Sequence, residues 1–262
     1  MFGHSVQLNQ LKMVLSSKPN TILLDGPSYL GKFSFSLEYI QSICSDLDIF
    51  VCEDGIESIR QAITFSRDEP YSSDFKVILI RDGDQLSESA QDALLKLSEE
   101  PPPNVIILIT SSNPGRIQPA LLSRIRHRIS FQRLSKEDMK IYTDSHGITD
   151  EFAIEISSGI PGLYNIICAS PEIRTFYELV KSVLEGNSST LLNPVPPIFE
   201  KCKDNHKLRD AVVHIVLKAV RSNPLSVMAP FISKFASSIS SVNSSSMELH
   251  WARVSVRTGQ KV

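Results

Sequence analysis

The sequence predicts an α/β fold, a parallel five-stranded sheet with helices on its faces, followed by an all-helical C-terminal part. Three observations carry this. Short apolar runs alternate with helical stripes through the first half, the pattern of a parallel sheet covered by crossover helices. A G-x-x-x-x-G-K spacing at Gly26, Gly31 and Lys32 stands between the first such run and the first such stripe. After Phe131 no strand pattern appears.

Thr21–Leu24 reads as a buried strand feeding a Gly-Pro turn. Phe33, Leu37, Ile40 and Cys44 then recur on one helical face. Asp48–Val51 is the second strand, and Ile56, Ile59 and Ile63 mark a helix ending before Pro70. Val77–Ile80 is the third strand. Leu86, Ala90, Leu94 and Leu97 form the next stripe, with Ser87 as N-cap and Pro101 to Pro103 as the stop. Val105–Thr110 and Arg128–Phe131 complete the sheet. Ser135 with Asp138 opens a helix by a capping box. Helices are expected over Asp150–Ser158, Leu163–Ala169, Pro171–Glu185 and Lys207–Arg221. The last is marked by Leu208, Val212, Ile215, Val216 and Ala219. The Ser-rich stretch Ala236–Ser246 reads as loosely ordered.

The bulk numbers fit a globular chain. Its 262 residues suit about two domains, with 42 % hydrophobic and 21 % charged residues. A net charge of −2 gives no global field for nucleic acid or an anionic membrane, so any DNA contact is local or shared with partners. Cys44, Cys52, Cys168 and Cys202 form no C-x-x-C pair, which argues against a zinc ribbon and suits a reducing cytoplasm. The N-terminus lacks a basic stretch followed by a long apolar run, so neither a signal peptide nor a membrane span is expected.

The phosphate loop is intact up to its last letter. After Lys32 a Ser or Thr hydroxyl is needed to hold magnesium, and Phe33 stands there. At the end of the third strand an Asp should face the metal. Arg81 stands first and Asp82 second, and a cation at about 4 Å from another costs roughly several kcal/mol at intermediate dielectric. Two bland readings compete: Phe33 packing in the core, and Arg81 pointing to solvent while Asp82 or Asp84 substitutes. Beyond the fourth strand, Ser111, Ser112 and Asn113 form a patch suited to sensing a γ-phosphate. A short helix then delivers Ser123 and Arg124, while Arg126 and Arg128 read as a solvated basic face.

Residues 91–102, Gln-Asp-Ala-Leu-Leu-Lys-Leu-Ser-Glu-Glu-Pro-Pro, closely resemble the A-x-N-A-L-L-K-x-L-E-E-P-P block of bacterial clamp-loader subunits. Ser123-Arg124 falls where that family carries Ser-Arg-Cys. The resemblance covers roughly residues 1–165. It implies a P-loop AAA+ module over 1–132, a helical lid over 133–180 and a short helical collar over 181–262. The degraded metal positions resemble the delta-prime type of DNA polymerase III, a non-hydrolysing subunit of a nucleotidyltransferase complex, more than the ATP-hydrolysing gamma/tau type.

By that resemblance Arg124 is an arginine finger acting in trans. ATP and magnesium belong to the neighbouring subunit, with no tightly bound cofactor, metal or zinc in this chain. Partners would be gamma/tau-type and delta-type subunits, the sliding clamp and, through the complex, primer–template DNA. Three departures stand out. Ile125 replaces the motif's cysteine, the stretch from Lys32 to Val77 lacks the cysteine cluster of a zinc module, and Leu163 takes the place of a lid arginine. The alternatives are a gamma/tau-type motor and a small P-loop kinase. Ser87 and Ser89, at a helix start, are candidate DNA contacts through free backbone amides.

Overall fold

A computed structural model describes residues 3–53, 55–147, 149–186, 198–202, 205–226 and 228–241. Contacts group the chain into two units, Met1–Ser145 and His146–Val262.

The first unit is the predicted α/β fold. Its strands are β1 (Thr21–Asp25), β2 (Ile49–Cys52), β3 (Lys76–Ile80), β4 (Val105–Ser111) and β5 (His127–Ser130). All are parallel, in the order β2-β3-β4-β1-β5. Every residue of β1, β3 and β4 is buried, which is why these strands read as unbroken apolar runs instead of alternating ones. The helices are α1 (Ser5–Ser16), α2 (Lys32–Gln41), α3 (Ile56–Ser66), α4 (Glu88–Glu99), α5 (Pro119–Arg124) and α6 (Lys136–Ser145). The Ser87 hydroxyl caps α4 by accepting from the Ala90 amide at 3.3 Å. Ser135 caps α6 by accepting from Asp138 N–H at 3.0 Å, while its own hydroxyl donates to the Asp138 carboxylate.

Four expectations change here. Helix α1 is absent from the sequence reading. It lies by β5, where the Gln7 amide donates to the Ser130 carbonyl at 3.2 Å. In α2 the inward face is Phe35, Ser36, Tyr39 and Ile40, while Phe33 and Leu37 are only half-buried. The stripe is out of phase with the sequence reading, because the N-terminal turn aims Phe33 away from the core. Asp48 is not in a strand. It ends a 3-10 turn (Asp46–Asp48) and its fully buried carboxylate accepts from the amides of Tyr71, Ser72 and Ser73 at 2.6, 3.0 and 2.8 Å. Burial alone would push that carboxyl up, but the three N–H groups outweigh it and hold it down at about 2. Finally, strand β5 begins and ends one residue early: Phe131 is past its end, though its amide still reaches the Asp25 carbonyl at 2.7 Å.

The regular elements among the described residues of the second unit are all helices: α7 (Glu151–Ser157), α8 (Pro161–Ala169), α9 (Glu172–Leu184), α10 (Ile198–Cys202), α11 (His206–Ser222) and α12 (Ala229–Ser241). The predicted stripe of α11 is buried throughout. Lys218 on that helix donates to the Glu155 carbonyl and to the Ser158 hydroxyl, filling acceptors at the end of α7. The Phe199 ring lies 5.5 Å from Phe176 and 5.7 Å from Phe235, joining α9, α10 and α12.

Two readings are corrected in this unit. Helix α8 starts at Pro161, whose fixed φ suits a first helical position, so the Gly-Ile-Pro-Gly run is not wholly a linker. The Ser-rich stretch is helical through Ser241, because Ile232, Phe235, Ala236 and Ile239 place an apolar face at helical spacing. Residues 242–246 of that stretch lie outside the described residues. No described helix is long and apolar enough to cross a membrane.

Candidate functional site

The strand order β3-β4-β1 brings the carboxyl ends of three strands side by side. Such ends are where open α/β sheets receive ligands. Gly26 follows β1, Arg81 follows β3, and Ser111 and Ser112 stand at the end of β4. Positions distant in sequence therefore share one rim.

The loop between β1 and α2 is held in a defined backbone geometry. Gly26 has φ +146 and an added Cβ would stand 2.4 Å from the Phe131 carbonyl oxygen, so only glycine fits. Gly31, with φ +84, is the left-handed N-cap of α2. Lys32 is buried, and its ammonium donates to the carbonyls of Gly26 and Pro27 at 2.7 and 2.8 Å, with the Ser112 hydroxyl at 3.4 Å. Two donors are thus spent on holding the loop, and the third makes only a long contact. Burial pulls the Lys32 pKa down, partly offset by Asp82, Asp84 and Asp25. Glycines, helix N-terminus and ammonium together suit phosphate oxygens.

The two positions the sequence marks for magnesium, Phe33 and Arg81, carry no oxygen ligand. Arg81 lies over the Phe33 ring, its guanidinium carbon 3.8 Å from the ring centroid. The residue that should give a hydroxyl and the residue that should give a carboxylate are instead stacked on each other as a cation–π pair. Phe33 is not packed in the core, and Arg81, although exposed, is not simply directed at solvent. The carboxylates of Asp82 and Asp84 both stand near enough to Lys32 to favour its charged form. Asp82 adopts a left-handed conformation and its amide donates to the Thr110 hydroxyl at 3.0 Å. Asp84 is buried with its carboxylate accepting from Ser112 N–H at 3.0 Å. Among the described residues no three His, Cys, Asp or Glu side chains gather as a metal-binding group.

The sensor-like residues divide in use. Ser111 is fully buried; its carbonyl accepts from Gly26 N–H at 3.2 Å and its hydroxyl from Asn113 N–H at 3.2 Å. Ser112 alone touches Lys32, while Asn113 is exposed. Asp25, directly before the loop, carries no motif signal in the sequence. Its carboxylate accepts two bonds from Arg128, at 2.9 and 2.8 Å, and one from Ser130 at 2.8 Å. Burial raises its pKa, but these bonds prevail and leave it below the ordinary value. Arg128 therefore does not belong to a free basic face. It forks onto Asp25 in bidentate geometry.

Arg124 is the last residue of α5 and exposed, away from the loop's own bonds, with one terminal nitrogen 3.1 Å from Glu99 at the end of α4. Ser123 is exposed and its hydroxyl donates to the Ala120 carbonyl at 2.6 Å. Ser87 and Ser89 stand at the start of α4, their hydroxyls 3.1 Å apart. Gln91, in the quoted sequence block, is buried. Its amide donates to the carbonyls of Leu86 and Arg116, and its oxygen accepts from Gln118 N–H at 2.8 Å. It thereby fixes the chain leading into α5 against α4. Leu163 is buried within α8.

Residues 52–135 match the family model described as DNA polymerase III, delta subunit. The chain carries a DNA polymerase III delta-subunit-like domain. That domain runs from the end of β2 through β5 and holds Arg81, Glu99 and Arg124, while the phosphate loop precedes it.

Homology extends to the subunits called tau and gamma. The chain is 30 % identical to DNA polymerase III subunit tau of Bacillus subtilis over 106 residues, 40 % of this chain and 18 % of that one. It is 31 % identical to subunit gamma of Buchnera aphidicola over 108 residues, 37 % of this chain and 30 % of that one. Replication factor C subunit 3 of Schizosaccharomyces pombe is 28 % identical over 149 residues, 53 % of this chain and 43 % of that one. The matches span less than half the length of these relatives. A crystal structure of a gamma subunit-related protein from Thermotoga maritima superposes with TM-score 0.60 at 17 % identity, covering 97 % of this chain and 99 % of that one. The chain thus shares the fold of that protein.

Proposed function

We propose that this chain is a clamp-loader subunit of the delta-prime type, inert toward ATP in its own loop and catalytic only through a neighbour. The stacking of Arg81 on Phe33 carries this reading, since one contact occupies both magnesium-directed positions. Hydrolysis in such modules needs the metal to neutralise charge between the outer phosphates. The retained cradle of Gly26, Gly31 and Lys32 serves as the floor of the fold. Arg124, exposed at the end of α5, is the group offered outward, with Ser123 beside it. A guanidinium is always charged and spreads over several phosphate oxygens.

On this reading gamma/tau-type and delta-type subunits are the partners, and the neighbouring gamma-type subunit holds ATP and magnesium. The assembly places a sliding clamp on primer–template DNA in the cytoplasm. This chain needs no tightly bound cofactor and no zinc. Ser87 and Ser89 are candidate contacts for the DNA backbone.

The test is reconstitution with the gamma/tau-type motor of the same organism. The purified chain alone is expected to give no sustained ATP turnover. Arg124→Ala is expected to lower turnover at the neighbouring subunit's site by about 10³-fold or more, and so to remove that site's share of the assembly's ATPase; an unchanged rate overturns the trans role. Homology to the tau and gamma subunits, with an intact Lys32 cradle, favours a second reading as a gamma/tau-type motor. Sustained magnesium-dependent turnover by the purified chain would select that reading.

A further inference from the structure

The two most specific sequence blocks of the chain, residues 91–102 and Ser123-Arg124, meet at a single ion pair. Helix α4 ends at Glu99, stopped by the prolines that follow, and α5 ends at Arg124. Leu94 and Leu97 of α4 share a buried cluster with Leu121 of α5, and Gln91 bonds the chain entering α5. The two helix ends are therefore fixed by core packing, and only the tips are left to side chains. Across those tips Glu99 Oε1 accepts from one terminal nitrogen of Arg124 at 3.1 Å.

We infer that Glu99 is a positioning residue for Arg124: it braces the guanidinium in an outward-facing orientation for a phosphate held by the neighbouring subunit. This rests on the trans-finger reading given above. One carboxylate oxygen engages one nitrogen, so the remaining N–H groups of the fork stay available. A long side chain at a surface otherwise samples many rotamers, and restraining it before encounter lowers the ordering cost at the phosphate. Both side chains are about half exposed, at 53 % for Arg124 and 44 % for Glu99. The brace is therefore weak enough to yield if the phosphate demands a small shift.

The experiment uses the reconstituted complex with gamma-type motor subunits and reads kcat and KM for ATP. Glu99→Ala is expected to lower kcat by about two- to five-fold, the strength of an exposed pair, at unchanged KM. Glu99→Asp should recover most of the loss. In an Arg124→Ala background Glu99→Ala should add nothing, since the brace has nothing left to hold. Thermal unfolding of each free variant verifies that the fold is kept.

If Arg124→Ala lowers kcat and Glu99→Ala leaves it unchanged or raises it, the brace is overturned while the finger stands. If Glu99→Ala acts equally with and without Arg124, Glu99 is merely structural and the brace is again overturned. If Arg124→Ala itself has no effect, the reading beneath both is the one that fails.

Discussion

The double substitution Phe33→Ser with Arg81→Asp is expected to give the loop a magnesium site. The magnitude follows from the stacked pair. The Arg81 guanidinium carbon lies 3.8 Å from the Phe33 ring centroid, so a divalent ion at the position of the introduced serine hydroxyl would sit within about 4–6 Å of an unaltered Arg81. At an effective dielectric of about 20 the repulsion is about 5–8 kcal/mol, an upper bound because Arg81 is exposed and free to swing. Removing the pair costs about 1–2 kcal/mol, from the lost cation–π contact and the half-buried ring. The double variant should therefore unfold somewhat earlier than the unaltered chain without ligand.

The assay is thermal unfolding with ATP, with and without magnesium. A nucleotide at about 100 times its Kd stabilises by about 2.7 kcal/mol, which raises the midpoint of a unit this size by roughly 5–10 °C. In the double variant that rise should appear only with magnesium. The unaltered chain should show no difference between magnesium and chelator. A magnesium-dependent rise of that size in the unaltered chain would refute the argument, because the stacked pair would then not exclude the metal.

Two further perturbations probe the frame around the rim. Asp48→Ala orphans the amides of Tyr71, Ser72 and Ser73 and is expected to cost about 3 kcal/mol by denaturant titration. Because the folded Asp48 carboxyl is held down at about 2, below its ordinary value of 3.8, its stabilising share is complete above that ordinary value. It is lost as pH falls through 3.8 toward 2, so the unaltered chain should lose more stability than the variant on acidification over that range. Gly26→Ala forces a side chain into a backbone conformation with φ +146 and against the Phe131 carbonyl at 2.4 Å. A loss of about 2–4 kcal/mol is expected in the same titration, and a neutral result would mean that the loop is not held as described.

Much of the fold is legible in the sequence because its signals are local. The runs of β1, β3 and β4 are unbroken since those strands are covered on both faces. The stripe of α11 and the caps at Ser87 and Ser135 are legible for the same reason. Helix α12 is masked by serines that obscure its apolar spacing, and α10 is too short for periodicity to register. The motif positions Gly26, Lys32, Phe33 and Arg81 all stand out in the sequence.

Their relations do not. That Arg81 settles on the face of Phe33 depends on β3 and α2 meeting at one rim, which no spacing encodes. The same holds for Arg128 on Asp25, and for Glu99 on Arg124. Each pairs residues that lie far apart in the chain and are joined only by strand order or helix packing. Asp48 misleads the strand boundary because a carboxylate that clamps three amides looks, in sequence, like an ordinary polar residue before an apolar run.

The sheet's two borders carry a consequence for how this molecule can join others. Strands β2 and β5 at its edges are four residues long. On β5 the Arg128 side chain is drawn back to Asp25, and Gln7 of α1 occupies the Ser130 carbonyl. An incoming strand from another chain finds little free backbone to extend. Docking through side chains and helix ends is therefore favoured over strand addition at β5, which keeps the geometry of such a junction in the hands of a few replaceable residues.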